Sequence, residues 1–219
     1  MKRLIMTLII AGCMIFAFAG CDSDSSSAGG PDLSGQHLGW IMYSDGTYTQ
    51  EYDSSKTAIG IIVECDDDTG KPEKIVMAEV SSDLAWGSMT GETYHVGTGD
   101  DGDENLNRVQ NTGLGSGNFP IFDDVMVIAD FDSANWKKWY IPSYEEMVED
   151  IYRNRTQIEA AVTKLGGVSN IVLDQDYWTS NEDNTDSSKA WIFNPATKSG
   201  STVAKSTAYP VFRMTELKY

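Results

Sequence analysis

Cysteine, histidine and basic residues are all scarce in this chain, and each scarcity closes off a class of function. Three cysteines occur in 219 residues, and two of them, Cys13 and Cys21, fall in the opening hydrophobic stretch. Cys65 is then left without a partner, so no disulfide framework holds the fold. It follows the apolar run Ile61-Ile62-Val63 and reads as a strand residue. The two histidines, His37 and His95, stand far apart, and no Cys/His cluster has zinc spacing. Lysine and arginine total 16 against 33 aspartates and glutamates, a formal net charge of −17. Nucleic acid and anionic headgroups are held by clustered cations, so this composition excludes both as surface partners. No Gly-x-Ser-x-Gly elbow, phosphate-binding glycine loop or His-Glu-x-x-His pair appears. Long apolar runs are also missing beyond Phe18.

The one long apolar run is at the start. Lys2 and Arg3 precede Leu4 to Phe18, and Ala19-Gly20-Cys21 opens into Asp22-Ser23-Asp24-Ser25-Ser26-Ser27. A cationic start, a short apolar stretch and a small-residue cleavage site form a secretory signal outside the fold. Ala19-Gly20 directly before a cysteine resembles the lipobox of bacterial lipoproteins, which implies that Cys21 takes the lipid and begins the mature chain. Ile10-Ala11-Gly12-Cys13 fits the same pattern, but cleavage there would leave Met14 to Ala19 as an apolar stub. The expected organisation is a lipoprotein signal over 1–20, a flexible Ser-, Gly- and Asp-rich tether over 21–33, and one folded domain over 34–219. Loss of Lys2 and Arg3 with the signal makes the mature chain more acidic still. All six tryptophans lie beyond the tether, enough aromatic mass for a sizeable core.

Within the domain, residues 39–80 read as β-structure. Trp40 to Tyr43 and Thr47 to Thr49 flank the turn Ser44-Asp45-Gly46, and Ala58 to Cys65 and Lys74 to Val80 flank the polar turn 66–72. Residues 97–117 read as a long loop with one helical turn near 106–110. Phe122 to Ala129 suits a helix or a strand. Ser143 with Glu146 forms a capping box that opens a helix with Met147, Ile151 and Tyr152 on one face. Thr156 with Glu159 repeats the box, and Gly166-Gly167 ends that helix. Strands follow over 176–180, 190–194, 202–205 and 211–217. Strands, then two or three helices, then strands again argue an α+β domain with N-terminal β-hairpins and a C-terminal antiparallel sheet.

Several strings recur in a set order across 139–213: Trp139-Tyr140-Ile141-Pro142-Ser143 with Glu145-Glu146, Leu165-Gly166-Gly167, Tyr177-Trp178-Thr179-Ser180-Asn181-Glu182, Ala190-Trp191, Gly200, Lys205 and Arg213. This set resembles the Lcl C-terminal domain family, with the matching region over about 105–219. The resemblance implies a C-type-lectin-like fold related to the formylglycine-generating enzyme. That enzyme's activity needs cysteines in the C-terminal half, and this chain has none after Cys65. Read physically, Trp139, Trp178 and Trp191 are core payload, and Glu182 with Arg213 suits an internal ion pair.

The expected protein is therefore not an enzyme. Adjacent carboxylates such as Asp123-Asp124 and Glu145-Glu146 read as solvated surface. In C-type-lectin-like domains the C-terminal sheet and its loops carry the ligand. Here that implies Asn181, Asp183, Asn184, Asp186 and Ser187 in one segment, with Asn194 and Thr197 in the next hairpin. Amide and carboxylate groups beside Trp191 and Tyr177 suit a carbohydrate or protein ligand. No cofactor is called for, although Asp100, Asp101, Asp103 and Asn105 gather hard oxygen ligands of the kind calcium takes. That run departs from the EF-hand template, with Leu106 at the turn glycine and Thr112 at the final glutamate. The chain is placed at a bacterial envelope, lipid-anchored to a membrane. The other readings are a structural or protein-interaction lipoprotein, and a surface receptor diversified in its C-terminal sheet.

Overall fold

A computed structural model describes residues 35–87, 101–113, 117–128 and 133–219. Cys21, the signal and the tether lie outside the described residues, as does Asp100. The first sheet forms where β-branched residues are densest. Its strands are β1 (Ile41–Tyr43), β2 (Tyr48–Thr49), β3 (Ala58–Cys65), β4 (Pro72–Met77) and β10 (Met214–Glu216), in the order β10-β4-β3-β1-β2. All neighbours are antiparallel. Ile61, Ile62, Val63, Ile75 and Val76 are buried on both sides of the sheet, which explains a near-continuous apolar run in place of alternation. The turns are set by side chains. Asp45 accepts from the amide and hydroxyl of Thr47, and Asp66 accepts from Asp68 and Thr69.

Four helices follow: α1 (Gly102–Asn111), α2 (Pro120–Met126), α3 (Tyr144–Glu146) and α4 (Arg155–Leu165). Helix α3 runs on as a π-helical segment, Met147–Tyr152, and α4 ends in a 3₁₀ turn, Gly166–Val168. A second sheet is ordered β6-β7-β8, from β6 (Tyr177–Glu182), β7 (Lys189–Asn194) and β8 (Ser199–Ala204). A two-stranded ladder joins β5 (Leu84–Ala85) to β9 (Ala208–Tyr209). Segment 136–140 lies along the outer side of β10, where the Lys137 amide donates to Glu216 O and Tyr140 exchanges backbone bonds with Met214. The fold is α+β.

Several sequence expectations need correcting. Residues 102–111 are a helix of ten residues, not one turn in a loop, because Asp101 caps it through the amides of Asp103 and Glu104 while Leu106 and Val109 bury. The ambiguous 122–129 is helical as α2, started by Pro120. The Ser143–Glu146 capping box forms. The Thr156–Glu159 box does not, since Asn154 is the N-cap and Thr156 lies inside α4. Trp139 and Trp178 are core residues, but Trp191 is only half buried. Glu182 and Arg213 do not pair. Arg213 reaches Asp124 with two nitrogens, at 2.8 and 3.0 Å, and Glu182 is bound to Lys205.

Glu146 does more than close its own cap. One carboxylate oxygen accepts from the amides of Ser143 and Gly102, both at 2.9 Å. The other accepts from the Tyr140 hydroxyl at 2.9 Å and lies 3.6 Å from Lys74 Nζ. Gly102 is the residue that permits this approach, since a Cβ there would run into the Ile141 carbonyl oxygen. Glu146 is 6 % exposed, so its donors have no water to turn to. Glu146→Ala is expected to cost about 3–5 kcal/mol by stranding three buried donors, and Glu146→Gln less, as measured by urea unfolding.

Candidate functional site

The string Trp178-Thr179-Ser180-Asn181-Glu182 is an interior strand. All six residues of β6 are buried, four of them polar, and each of those four has a partner. The Thr179 hydroxyl donates to Trp191 O at 3.1 Å. The Ser180 hydroxyl accepts from Asn105 Nδ2 at 2.8 Å. The Asn181 side-chain oxygen accepts from the Tyr144 amide at 2.6 Å. Glu182 meets the Lys205 ammonium, both side chains 1 % exposed or less. Lys205 Nζ also lies 4.9 Å from the centre of the Trp86 ring, and Trp86 Nε1 donates to Thr179 O. A strand crossing the interior must satisfy every polar group it carries, and this one does. Asn181 is therefore a structural residue, not a surface ligand contact.

Beyond β6 the chain turns through 183–188. Asp183 accepts from the amide and hydroxyl of Thr185 at 2.8 and 2.7 Å. Those bonds, with a smaller share from the Thr202 hydroxyl, hold its carboxyl below the usual aspartate range. Asp186 is set by Ser188 in the same way and pairs with Lys189 at 3.0 Å. Hydrogen bonds from Ser188 and Lys189 lower its carboxyl to about 2. Asn184 is exposed at the tip, and Ser187 is half buried. Asn194 caps the other hairpin, accepting from the amides of Ala196 and Thr197 and donating to Asp176. The Thr197 hydroxyl meets that of Ser199.

These two groups do not converge. Lys189 at one end of β7 pairs with Ala204, and Asn194 at the other pairs with Ser199. Five residue steps separate them, about 17 Å. Asn194 and Thr197 therefore sit at the far end of the sheet from Asp183, Asn184, Asp186 and Ser187. What does come together is one face. Trp191 stands opposite Thr202 and Phe193 opposite Gly200, so these four share a side. Tyr144 packs there, 5.3 Å from Trp191 and 5.4 Å from Phe193, ring centre to ring centre. It lies over Gly200, where any Cβ would strike its ring. Tyr144 covers the Gly200 end and leaves Trp191, Thr202 and Asp183 half open to solvent. Sequence reasoning missed Thr202 and Tyr144; the position of Thr202 opposite Trp191 is set by the β7–β8 register, which the strand pattern alone does not give.

The acidic run near 101 is a helix start. Asp101 caps α1, Asp103 pairs with Lys138 at 2.9 Å, and Asn105 turns inward to Ser180. Among the described residues, no three His, Cys, Asp or Glu side chains gather as a metal site. A hollow of about 310 Å³ lies elsewhere, walled by Ile59, Met77, Ile128, Trp136 and Trp139, with Glu79 the one ionisable residue on it among the described residues.

A cluster of charges gathers where α3 and the segment after it meet β3 and β4. Lys74 Nζ lies 2.9 Å from Glu64, 3.3 Å from Asp150 and 3.6 Å from Glu146. Burial pulls the Lys74 ammonium down, but the three carboxylates, Asp150 foremost, outweigh that and raise it. Burial pushes Asp150 up to about 7 against the pull of Lys74, with Glu64 and Glu146 adding to the rise. Burial also raises Glu146, opposed by Lys74 and its three hydrogen bonds.

An aspartate that ionises less readily folded than unfolded lowers stability as pH rises. Its contribution is complete below the ordinary aspartate range and gone by about pH 7. Urea unfolding is expected to show stability falling from pH 5 to pH 8, with Asp150→Asn removing on the order of 2 kcal/mol of that fall. Lys205→Met is expected to cost about 3–5 kcal/mol, because it takes the cation from the buried Glu182 carboxylate, and Glu182→Leu added to it should restore part of the loss in the same assay. Compared with known proteins, the chain matches no family model and no curated protein.

Proposed function

We propose that this chain is an exported bacterial envelope protein, lipid-anchored through Cys21, whose C-type-lectin-like domain binds a carbohydrate without transforming it. The observation that carries the reading is the open half of the β6–β8 face. A half-buried indole, Trp191, is flanked by the Thr202 hydroxyl and by a carboxylate, Asp183, held ionised by its own turn. Sugar recognition uses that combination: an aromatic face for the C–H side of a pyranose ring, and fixed acceptors for its hydroxyls. The face is rigid underneath, because β6 is tied to α1, α3 and Lys205 by side-chain bonds. Preorganisation of that kind lowers the ordering cost of binding.

A lectin-like fold is supported by the return of the C-terminal strand β10 into the sheet that contains β1, with the β6–β8 sheet carried between. The non-catalytic reading is supported by where the perturbed charges go. Lys74, Glu146 and Asp150 are spent on one another. Because the acidic run begins α1, binding is expected to be independent of calcium. Among the described residues no helix is long and apolar enough to cross a membrane, and attachment is assigned to the lipid.

A glycan array probed with chain 22–219, with calcium and with chelator, tests the reading. Selective binding is expected in both conditions, reduced at least about tenfold by Trp191→Ala and by Asp183→Ala in variants that keep the wild-type circular dichroism. An array without selective binding, or binding untouched by both changes, would overturn it in favour of a protein partner.

A further inference from the structure

Strand β8 is the outer strand of its sheet, and its free side has an unusual chemistry. The Lys205 amide donates to Ser188 O at 3.0 Å, and the pairing from Lys189 with Ala204 to Asn194 with Ser199 runs without a bulge. Antiparallel alternation then turns the backbone groups of Ser199, Ser201 and Val203 toward β7 and those of Gly200, Thr202 and Ala204 outward. Thr207 takes the Ala204 carbonyl. Gly200 and Thr202 keep both amide and carbonyl free of any backbone partner among the described residues. The strand is Ser-Gly-Ser-Thr-Val-Ala, uncharged and without proline. Natural edges are blunted by lysine, proline, bulges, shortness or a covering segment. Here β2 is two residues long, and β10 is covered by 136–140. Among the described residues β8, six residues long and mostly exposed, carries none of these devices.

We propose that the free edge of β8 pairs with the same edge of a second copy of this chain, antiparallel about a twofold axis at Ser201. In that register Gly200 of each copy faces Thr202 of the other, and the two pairs exchange four backbone hydrogen bonds. The self-pairing is favoured by charge. Lys198 flanks one end of β8 and has no carboxylate partner among the described residues, only the Tyr152 ring at 5.3 Å. Asp183 and Asp186 lie in the turn beyond the other end, where Lys189 pairs with Ala204, and Asp186 is already paired with Lys189, so that end keeps one net negative charge. A twofold axis places Lys198 of each strand on the side of its partner's Asp183 end. The uncharged strand between them lets two copies of net charge −17 meet without like charges in contact. Residues facing one another across antiparallel strands point the same way, so the dimer sets both Trp191 faces on one side of a six-stranded sheet.

Analytical ultracentrifugation of chain 22–219, which contains the whole compact unit Pro31–Tyr219, tests this. A concentration-dependent dimer is expected, weakened by added salt. Thr202→Pro removes an outward amide and spares the bonds to β7, and is expected to weaken the dimer at least about tenfold. Ser201→Cys supplies a test that does not depend on the proline variant folding. Ser201 residues face each other at the axis, about 4.5 Å apart by Cα, so this variant should crosslink under oxidation while Val203→Cys should not. A monomer at every concentration, equal dimerisation of Thr202→Pro, or no selective crosslink at 201 would overturn the proposal. Dimerisation without sugar binding, or sugar binding by a monomer, separates this inference from the glycan reading.

Discussion

One carboxylate organises the middle of this molecule. Glu146 takes hydrogen bonds from the first residue of α1, from the cap of α3 and from Tyr140, and stands beside Lys74 of β4. Tyr140 in turn holds Met214 of β10 by two backbone bonds. Three regions far apart in sequence, at Lys74, at Gly102 and over 140–146, thus meet at one side chain that solvent barely reaches, with β10 one step away through Tyr140. Hydrogen bonds to a charged acceptor are about twice as strong as neutral ones, and a dry site sharpens the cost of losing them. The arrangement resists independent movement of the two sheets, and the Trp191 face of β6–β8 inherits its rigidity from that restraint through Asn181 and the Tyr144 amide.

The same logic explains why so few cations suffice in so acidic a chain. Lys74, Lys205 and Arg213 are placed inside or at the rim of the core, each against carboxylates. Buried cations interact in a low dielectric, so each neutralises more local repulsion than a surface lysine would. Surface acids such as Asp66 and Asp183 are instead held by hydroxyls and amides of their own turns. Acidity here is used locally to build turns.

What was legible in the sequence follows from range. Local chemistry read well: the Ser143 capping box, the 66–72 turn, the runs Ala58 to Cys65 and 190–194, and the helix stop at Gly166. Long-range chemistry did not. Asn181 adjoins a polar loop, and its polarity alone suggested surface; Glu182 read as internal but with Arg213 for its partner, and only Tyr144 and Lys205, from two other segments, set both residues in the interior. Arg213 found Asp124 on α2 because β10 lies in the first sheet, a topology no local pattern encodes. The run at 101–105 had the composition of a calcium loop, and a helix N-terminus favours the same residues for capping and dipole reasons.

The face and the edge of the β6–β8 sheet constrain each other. Tyr144 can cover Gly200 only because residue 200 lacks a Cβ, and the same missing side chain leaves the outward backbone of β8 accessible to a neighbouring strand. A bulkier residue at 200 would push Tyr144 toward Trp191 and narrow the open half of the face. The proposed binding and the proposed self-association thus share a structural requirement at one glycine. A weak site repeated on one side of a paired sheet gains avidity whenever the ligand is itself repetitive, as a polysaccharide is. The proposed lipid anchor would strengthen that coupling by confining copies to a plane, where the proposed edge contact of four backbone hydrogen bonds would operate at a far higher effective concentration than in free solution.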